Sequence, residues 1–172
     1  PFKNNHLMFT AGILEEMFNG YGFEYLYFNN KSYAVGFEAF KVKKRDYEMQ
    51  FGTLNYKNTT GALNIYFRNY NFIPFDAKIS YGEYLAGDVG TTFEFSRSYL
   101  NGAKFGIFAT FTDVTSEQFG EGTFDKGIFF SIPIYKNLVD YTWKPLTKDP
   151  GAKLNRKHTL HDLLIKFKSF NE

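Results

Sequence analysis

Apolar and polar residues alternate with a period of two along most of the chain. In residues 63–68 the side chains of Leu63, Ile65 and Phe67 fall on one side of an extended chain, and the residues between them fall on the other. The same alternation recurs in residues 75–81, 93–98, 103–112, 128–134 and 163–168. Alternation over segments of this length indicates half-buried β-strands. The pattern therefore predicts an all-β chain folded as an antiparallel up-and-down meander.

One hairpin can be assigned a register from the sequence. A two-residue Asn-Gly turn would pair Leu100 with Ala103, and would mix the apolar and polar faces of the two strands. A three-residue loop over residues 100–102, with its glycine in the left-handed region, pairs Phe95 with Ile107 instead. Because a slip of one residue turns a strand's side chains to the other face, only this register keeps the two faces separate. We predict the bulged three-residue loop.

The remaining connections follow from turn-forming residues. Asparagine, aspartate, glycine and proline favour turns for separate conformational reasons. Predicted turns lie at Asn29-Asn30, Lys57-Asn58, Asn69–Pro74, Ala86–Asp88 and Lys148–Gly151, with a longer connection over 113–127.

Strand segments of about ten residues separated by turns are typical of transmembrane β-barrels. Alternation alone leaves open which face is inside, because a soluble barrel turns its apolar face inward and an outer-membrane barrel turns it towards lipid. The 22 Phe and 13 Tyr residues, and the charges on the polar faces, favour the membrane barrel. The direction of four apolar side chains distinguishes the two barrels: they point outward in the membrane barrel and inward in the soluble barrel. These residues are Ile79, Phe105, Ile107 and Ile132.

Composition narrows the possible functions. A chain of 172 residues suits one domain, 1–172. Without cysteine it has no disulfide or thiolate metal site. Its net charge of +2, with both signs interspersed, argues against a nucleic-acid partner. The first residues lack an initiator methionine and an apolar signal region, so we expect the chain to begin inside a longer protein.

Candidate catalytic and metal-binding residues are few. Glu121 and Asp125 could act as the carboxylate pair of a glycosidase, but the surrounding glycines and Lys126 favour a structural loop. His158 and His161, with Asp162, could form a metal site, but in a strand the two histidines would lie on opposite faces, which argues against it. We therefore expect no catalytic residue, no metal site and no cofactor.

The polar face also carries residues suited to a polymer. Sugars stack on aromatic rings and hydrogen-bond to charged side chains, so this face could guide a polysaccharide through a lumen. Alternatively, its charges form a network that fills a small barrel, and the sequence leaves both possibilities open. The candidate residues are Tyr66, Arg68, Lys78, Glu94 and Lys104.

Several motifs resemble a known family. Residues 82–90 (GEYLAGDVG), with FEFSR at 93–97, resemble its YLAGD-G and SR segment. Residues 119–127 (FGEGTFDKG), followed by Ile132-Pro133, resemble its FGEGSFDKG and IP signature, with Thr123 in place of serine. Residues 143–151 (WKPLTKDPG) resemble its WRPLTRDGG element. The chain is thereby identified as similar to the YjbH/GfcD-type exopolysaccharide biosynthesis proteins, which are outer-membrane β-barrel proteins of Gram-negative bacteria.

This resemblance implies a role in making or exporting a surface polysaccharide, in the bacterial outer membrane. The implied partners are the polysaccharide, outer-membrane lipid and other polysaccharide-export proteins, and the chain resembles the C-terminal part of longer members. The family supplies no catalytic residues. The motif positions that we expect to be structural or ligand-facing are Gly87, Asp88, Gly120, Glu121, Gly122, Asp125, Lys126, Gly127 and Trp143.

Three functions therefore stand as hypotheses. The first is a non-catalytic outer-membrane barrel that takes part in exopolysaccharide biosynthesis or export. The second is a soluble β-barrel that binds an apolar ligand. The third is a polysaccharide-modifying enzyme that acts through Glu121 and Asp125.

Overall fold

The computed structural model contains one antiparallel sheet of nine strands in chain order. It describes residues 4–29, 32–46, 48, 52–69, 74–99, 102–115, 117, 124–135, 139–143, 151–154, 156 and 158–169. The strands are β1 (Asn5–Ile13), β2 (Phe18–Phe28), β3 (Tyr33–Arg45), β4 (Thr53–Asn69), β5 (Phe75–Glu83), β6 (Val89–Ser98), β7 (Lys104–Thr112), β8 (Asp125–Tyr135) and β9 (Val139–Trp143). A helix, α1 (Leu160–Ser169), follows. The predicted all-β meander is confirmed.

The sheet is ordered so that every strand pairs with its neighbour in sequence. Within the described residues, β1 pairs with β2 and β9 pairs with β8. In the same part of the chain, no helix has the length and apolar character needed to cross a bilayer.

The β6–β7 hairpin has the predicted register. Phe95 pairs with Ile107, and Ser98 pairs with Lys104. The Tyr99 amide donates to the Ala103 carbonyl over 2.8 Å, which closes a loop of three residues. The glycine at position 102 has a φ of 82°, the left-handed conformation that the bulge requires.

The turn predicted at Lys57-Asn58 is wrong. Strand β4 runs through both residues, and Lys57 still pairs with Lys43 of β3. The Asn58 amide donates to the carbonyls of Tyr84 and Leu85, over 2.9 and 3.1 Å. The asparagine therefore supports the neighbouring β5–β6 turn and does not form a turn of its own.

The strand predicted over residues 163–168 is also wrong, because these residues belong to α1. Thr159 caps the helix: the Asp162 amide donates to Thr159 Oγ1 over 3.2 Å, and the Thr159 hydroxyl donates to the Asp162 carboxylate over 2.7 Å. Leu160 and Leu164, one helical turn apart, pack against Leu26 of β2. A local cap and a tertiary contact outweigh the short alternating pattern.

The two faces of the sheet differ sharply in exposure. One face, here called the apolar face, carries exposed side chains, including Ile79 (43%), Phe105 (46%), Ile107 (52%) and Ile132 (51%). The opposite face, here called the polar face, is buried although it is largely hydrophilic. Its buried polar residues are Glu24, Thr60, Asn64, Ser80, Thr92, Ser96 and Thr110. The apolar side chains therefore point outward.

The apolar face continues from strand to strand. Phe23 contacts Phe9 of β1 and Phe37 of β3, with ring centroids 6.3 and 5.8 Å apart. Phe75 and Phe95 stack at 5.1 Å on β5 and β6. At one end of the strands the outward positions become charged, at Lys41, Lys57 and Glu83. At the other end Arg97 lies over the ring of Tyr99, 5.3 Å from its centroid. The exposed apolar residues thus form a band with polar margins.

Candidate functional site

The C-terminal segment, of which the structure describes residues 151–154, 156 and 158–169, lies across the polar face. It begins at the β5–β6 turn, where the Gly151 amide donates to Asp88 Oδ2 over 2.6 Å and the Leu85 amide donates to the Ala152 carbonyl over 3.0 Å. Gly151 has a φ of 85°, and a Cβ there would lie 2.5 Å from the side chain of Thr110. Only glycine allows both this backbone conformation and this close approach.

The segment next places an ammonium group against the sheet. Lys153 Nζ lies 2.8 Å from Glu94 Oε1, and Lys78 Nζ lies 4.0 Å from the same oxygen. Burial lowers the pKa of the Lys153 ammonium, and the Glu94 carboxylate acts in the opposite direction. Glu94 therefore compensates two lysines, one from the sheet and one from the C-terminal segment.

Among the described ion pairs, the most deeply buried one is formed by Arg156. Glu24 and Glu38 are direct cross-strand partners on β2 and β3, and like charges in that arrangement destabilise a sheet. The Arg156 guanidinium bridges them: its NH1 group donates to Glu24, and its NH2 group donates to Glu38 over 2.5 Å. The guanidinium also lies 4.2 Å from the centroid of the Phe40 ring.

Glu24 has a second role at the beginning of α1. Its Oε2 accepts a hydrogen bond from the Leu160 amide over 3.0 Å. The amides of the first helical turn have no partner within the helix, and a carboxylate there also interacts favourably with the helix dipole. One buried carboxylate thus fixes both the arginine and the helix of the segment.

Two apolar clusters hold the segment on either side of these charges. Leu154 packs against a cluster formed by Leu14, Phe18, Phe40, Val42 and Leu85. Leu160 and Leu164 pack into a second cluster with Leu26, Ala34 and Phe28. At the second cluster the His161 ring stacks on Tyr66, with centroids 3.8 Å apart and planes 13° apart. The segment is therefore anchored by burial as well as by charge.

Three of the five candidate polymer-facing residues lie in one row beneath the segment. Tyr66 pairs with Lys78, which pairs with Glu94, on three adjacent strands. Arg68 lies in the next row, where its Nε donates to Asp76 Oδ1 over 2.6 Å. Lys104 begins β7, and its ammonium lies 5.9 Å from the centroid of the Phe129 ring. The polar face thus holds a network of paired charges, and its role towards a polymer stays a prediction.

The described motif residues lie at the β5–β6 turn and on β8 and β9. Gly87 and Asp88 form the β5–β6 turn and meet Gly151, so two motifs 63 residues apart are in contact. Asp125 and Gly127 lie on β8, paired with Thr110 and Phe108 of β7.

The remaining motif positions lie on β8, at the end of β9 or outside the described residues. Lys126 lies 4.7 Å from the centroid of the Phe124 ring. Trp143 ends β9, where its backbone pairs with Phe130. Gly120, Glu121 and Gly122 lie outside the described residues.

Sequence reasoning missed the residues that matter most here, namely Glu24, Glu38, Asn64, Lys153 and Arg156. Glu24 and Arg156 are 132 residues apart in the chain. A glutamate within an apolar strand segment is a signal for a buried charge, but it does not identify the partner. Among the described residues, no group of three His, Cys, Asp or Glu side chains could hold a metal ion.

The pH dependence of α1 docking follows from His161. Burial lowers its pKa to about 3, opposed by Asp162 and assisted by Arg68, Lys104 and Lys78. Because this value lies below the unfolded value of 6.5, the stability present above pH 6.5 is lost progressively as the pH falls towards 3. The free energy of unfolding falls by at most about 1.4 kcal/mol per pH unit when one proton is bound. Urea unfolding followed at several pH values measures it.

His161→Phe is the matched control, since it keeps an aromatic ring on Tyr66 and cannot titrate. All neighbouring charges are the same in both proteins, so the difference between their pH profiles isolates His161. Identical profiles between pH 6.5 and 3 would contradict the prediction.

Comparison with known proteins places these features in context. The family model described as exopolysaccharide biosynthesis protein YbjH matches residues 1–166. A protein of Escherichia coli (strain K12), described as uncharacterized lipoprotein YjbH, is 37% identical over 166 residues, covering 89% of this chain and 24% of that protein. The chain thus spans about a quarter of the length of this curated relative. No solved structure matches the chain.

Proposed function

Since the chain belongs to the YjbH family of exopolysaccharide biosynthesis proteins, we propose that it is part of a non-catalytic outer-membrane protein. In this proposal the sheet contributes to a β-barrel, its apolar face contacts lipid, and its polar face lines the interior. The protein takes part in the biosynthesis or export of a surface polysaccharide.

The orientation of the two faces carries this proposal. A sheet that buries glutamate, serine and threonine while exposing phenylalanine and isoleucine is the reverse of a water-soluble domain. In a bilayer the preferred orientation is reversed. Apolar side chains are compatible with the surrounding hydrocarbon, and polar groups must form their hydrogen bonds and ion pairs inside the protein. The charged ends of the band, with Lys41, Lys57 and Glu83 at one end and Arg97 at the other, fit the two polar boundaries of a membrane.

The alternative of a soluble barrel with an apolar interior fits the geometry poorly. It requires inward-pointing Phe105 and Ile107, and both side chains are about half exposed on the opposite face. The Escherichia coli relative is described as a lipoprotein, which supports an envelope location for the present chain as well.

A non-catalytic role fits the state of the charged residues on the polar face. Arg68, Glu94 and Arg156 each form ion pairs with neighbouring side chains. The enzymatic alternative rests on Glu121 and Asp125. Polysaccharide output by cells that carry Glu121→Gln or Asp125→Asn tests it: we expect output near that of the unmodified protein, and loss of output at normal protein levels would support catalysis.

Site-directed labelling tests the membrane placement. The chain has no cysteine, so single cysteines can be introduced into the full-length protein, after replacement of any cysteine elsewhere. In isolated outer membranes we expect a fluorophore on Ile107→Cys to be quenched by lipids that carry a nitroxide deep in the acyl chain. A fluorophore on Lys57→Cys is the matched control, and we expect only weak quenching there.

Two results would overturn the proposal. One is recovery of the full-length protein outside the outer-membrane fraction. The other is equal reaction of Ile107→Cys and Lys57→Cys with a membrane-impermeant maleimide, which would show that water reaches the apolar band.

A further inference from the structure

We propose that the polar face beneath the C-terminal segment is a binding site for a polysaccharide that carries protonated amines, and that the cations of the segment occupy this site in the present structure. This inference rests on the proposed function and names the class of polymer. The site on the sheet, here called the acidic cleft, consists of Glu24, Glu38, Asn64, Lys78 and Glu94.

The charges of the cleft and of the segment are complementary. The sheet supplies three carboxylates, Glu24, Glu38 and Glu94, and one ammonium group, Lys78. The segment supplies Lys153 and Arg156, whose contacts are with those same carboxylates. The neighbouring pair Arg68–Asp76 is neutral by itself. Without the two cations of the segment, the cleft would hold an uncompensated charge of about −2, which a ligand with basic groups would neutralise.

An unpartnered acceptor lies in the same place. Asn64 is 3% exposed, and its Oδ1 has no hydrogen-bond partner among the described residues. It lines a cavity between the sheet and the segment, together with Ser80, Lys78 and Lys153. A buried acceptor of this kind lowers the stability of the folded protein unless a donor forms a hydrogen bond with it. The carboxylates of the cleft are acceptors too, so the surface as a whole suits a ligand rich in donors.

The cleft also provides aromatic faces. The guanidinium of Arg156 lies over Phe40, and the ring of His161 stacks on Tyr66. Aromatic faces attract cations and also bind flat, weakly polar surfaces. An amino sugar combines both features, because its ring presents a C–H face and its ammonium group presents three donors.

The same arrangement disfavours an acidic polysaccharide. A uronate or phosphate group that displaced the segment would face Glu24, Glu38 and Glu94, whose three negative charges exceed the one positive charge of Lys78 in the cleft. Like charges brought together in a partly desolvated site oppose binding and so provide specificity. The cleft therefore binds an amine-bearing polymer most tightly, a neutral polymer less tightly and an acidic polymer least tightly.

Competition between the segment and the ligand gives the test. Replacing Lys153 by alanine removes the ammonium at Glu94 and leaves the apolar anchors of the segment in place. Binding of a glucosamine hexasaccharide to the full-length protein is measured by titration calorimetry. We expect Lys153→Ala to bind it at least tenfold more tightly than the unmodified protein does, because the ligand amine no longer competes with a resident one.

Four controls make the result specific. Lys153→Arg keeps a cation at Glu94 and should not show the tenfold gain. Adding Glu94→Gln to Lys153→Ala should abolish the gain. The N-acetylated hexasaccharide should bind at least tenfold more weakly than the amine, and an oligogalacturonate should not bind measurably.

Any of three results would overturn the inference. They are equal binding of the amine and N-acetyl oligosaccharides, preferential binding of the oligogalacturonate, and no binding of the amine oligosaccharide to Lys153→Ala. Deep lipid quenching at Ile107→Cys is read on the same Lys153→Ala protein. A failed ligand test with normal quenching therefore refutes the ligand class alone, and loss of quenching in the unmodified protein refutes the membrane proposal.

Discussion

Arg156→Ala is expected to release the C-terminal segment from the polar face. The substitution leaves Glu24 and Glu38 facing each other across two strands, one of them almost fully buried, with no cation between them. Removing one partner of a buried ion pair typically costs about 3–5 kcal/mol, because the remaining charge stays desolvated and unpaired. Loss of the contact between the guanidinium and Phe40 adds to this effect.

Hydrogen exchange measures the release directly. The amides of α1 should exchange much faster in Arg156→Ala, while the amides of β4 to β6 keep most of their protection. Because Glu24 also accepts from the Leu160 amide, the beginning of the helix should lose protection first. Urea unfolding in detergent gives the accompanying free energy.

Two further variants make this prediction specific. Arg97→Ala is the matched control: this arginine is exposed on the apolar face near Tyr99, and its loss should change the unfolding free energy by less than about 0.5 kcal/mol. Adding Glu24→Gln and Glu38→Gln to Arg156→Ala should restore part of the stability, since no charge then remains unpaired. Unchanged exchange of α1 in Arg156→Ala would show that the apolar anchors alone hold the segment.

Ile107→Arg is expected to impair membrane insertion. Ile107 lies in the middle of β7 on the apolar face, next to Phe95 of β6 and Ile128 of β8. An arginine on the lipid face of a barrel costs about 2–4 kcal/mol near the bilayer midplane and about 0–1 kcal/mol near its boundaries. Folding into vesicles at increasing urea concentrations measures this cost.

Thr59→Arg is the matched control for insertion. Thr59 is an exposed residue of β4, near the charged end of the band that includes Lys57. The same substitution should therefore cost about 1 kcal/mol or less there. Equal costs at the two positions, or a gain in solubility with normal folding in water for Ile107→Arg, would indicate that the apolar face does not contact lipid.

The strands were predictable where alternation was long and the turn chemistry was specific. The β6–β7 register followed from Gly102 and from the need to keep two faces apart, and the structure has that register. Shorter sequence patterns predicted the wrong secondary structure. Lys57-Asn58 resembles a turn, but the Asn58 amide bonds to the carbonyls of another hairpin. Residues 163–168 alternate like a strand, but they form a capped helix that packs on Leu26.

The candidate site was only partly predictable. Tyr66, Lys78 and Glu94 were identified because alternation places them on the polar face, and the structure pairs them in one row. Lys153, the partner of Glu94, was not identified, and neither was Arg156, which pairs with Glu24 and Glu38. Nothing in the local sequence around either residue indicates that it will meet Glu94 or Glu24.

The sequence by itself determined the strand meander, the separation into an apolar and a polar face, and family membership, because these depend on local periodicity and on local motifs. Only the tertiary structure decided which face is buried. That choice depends on the described part of the C-terminal segment, which folds back across the polar face and supplies the cations that its carboxylates need. These contacts join residues that are 118 and 132 positions apart in the chain. They leave no periodic signal in the sequence, because each contact depends on how the intervening strands fold.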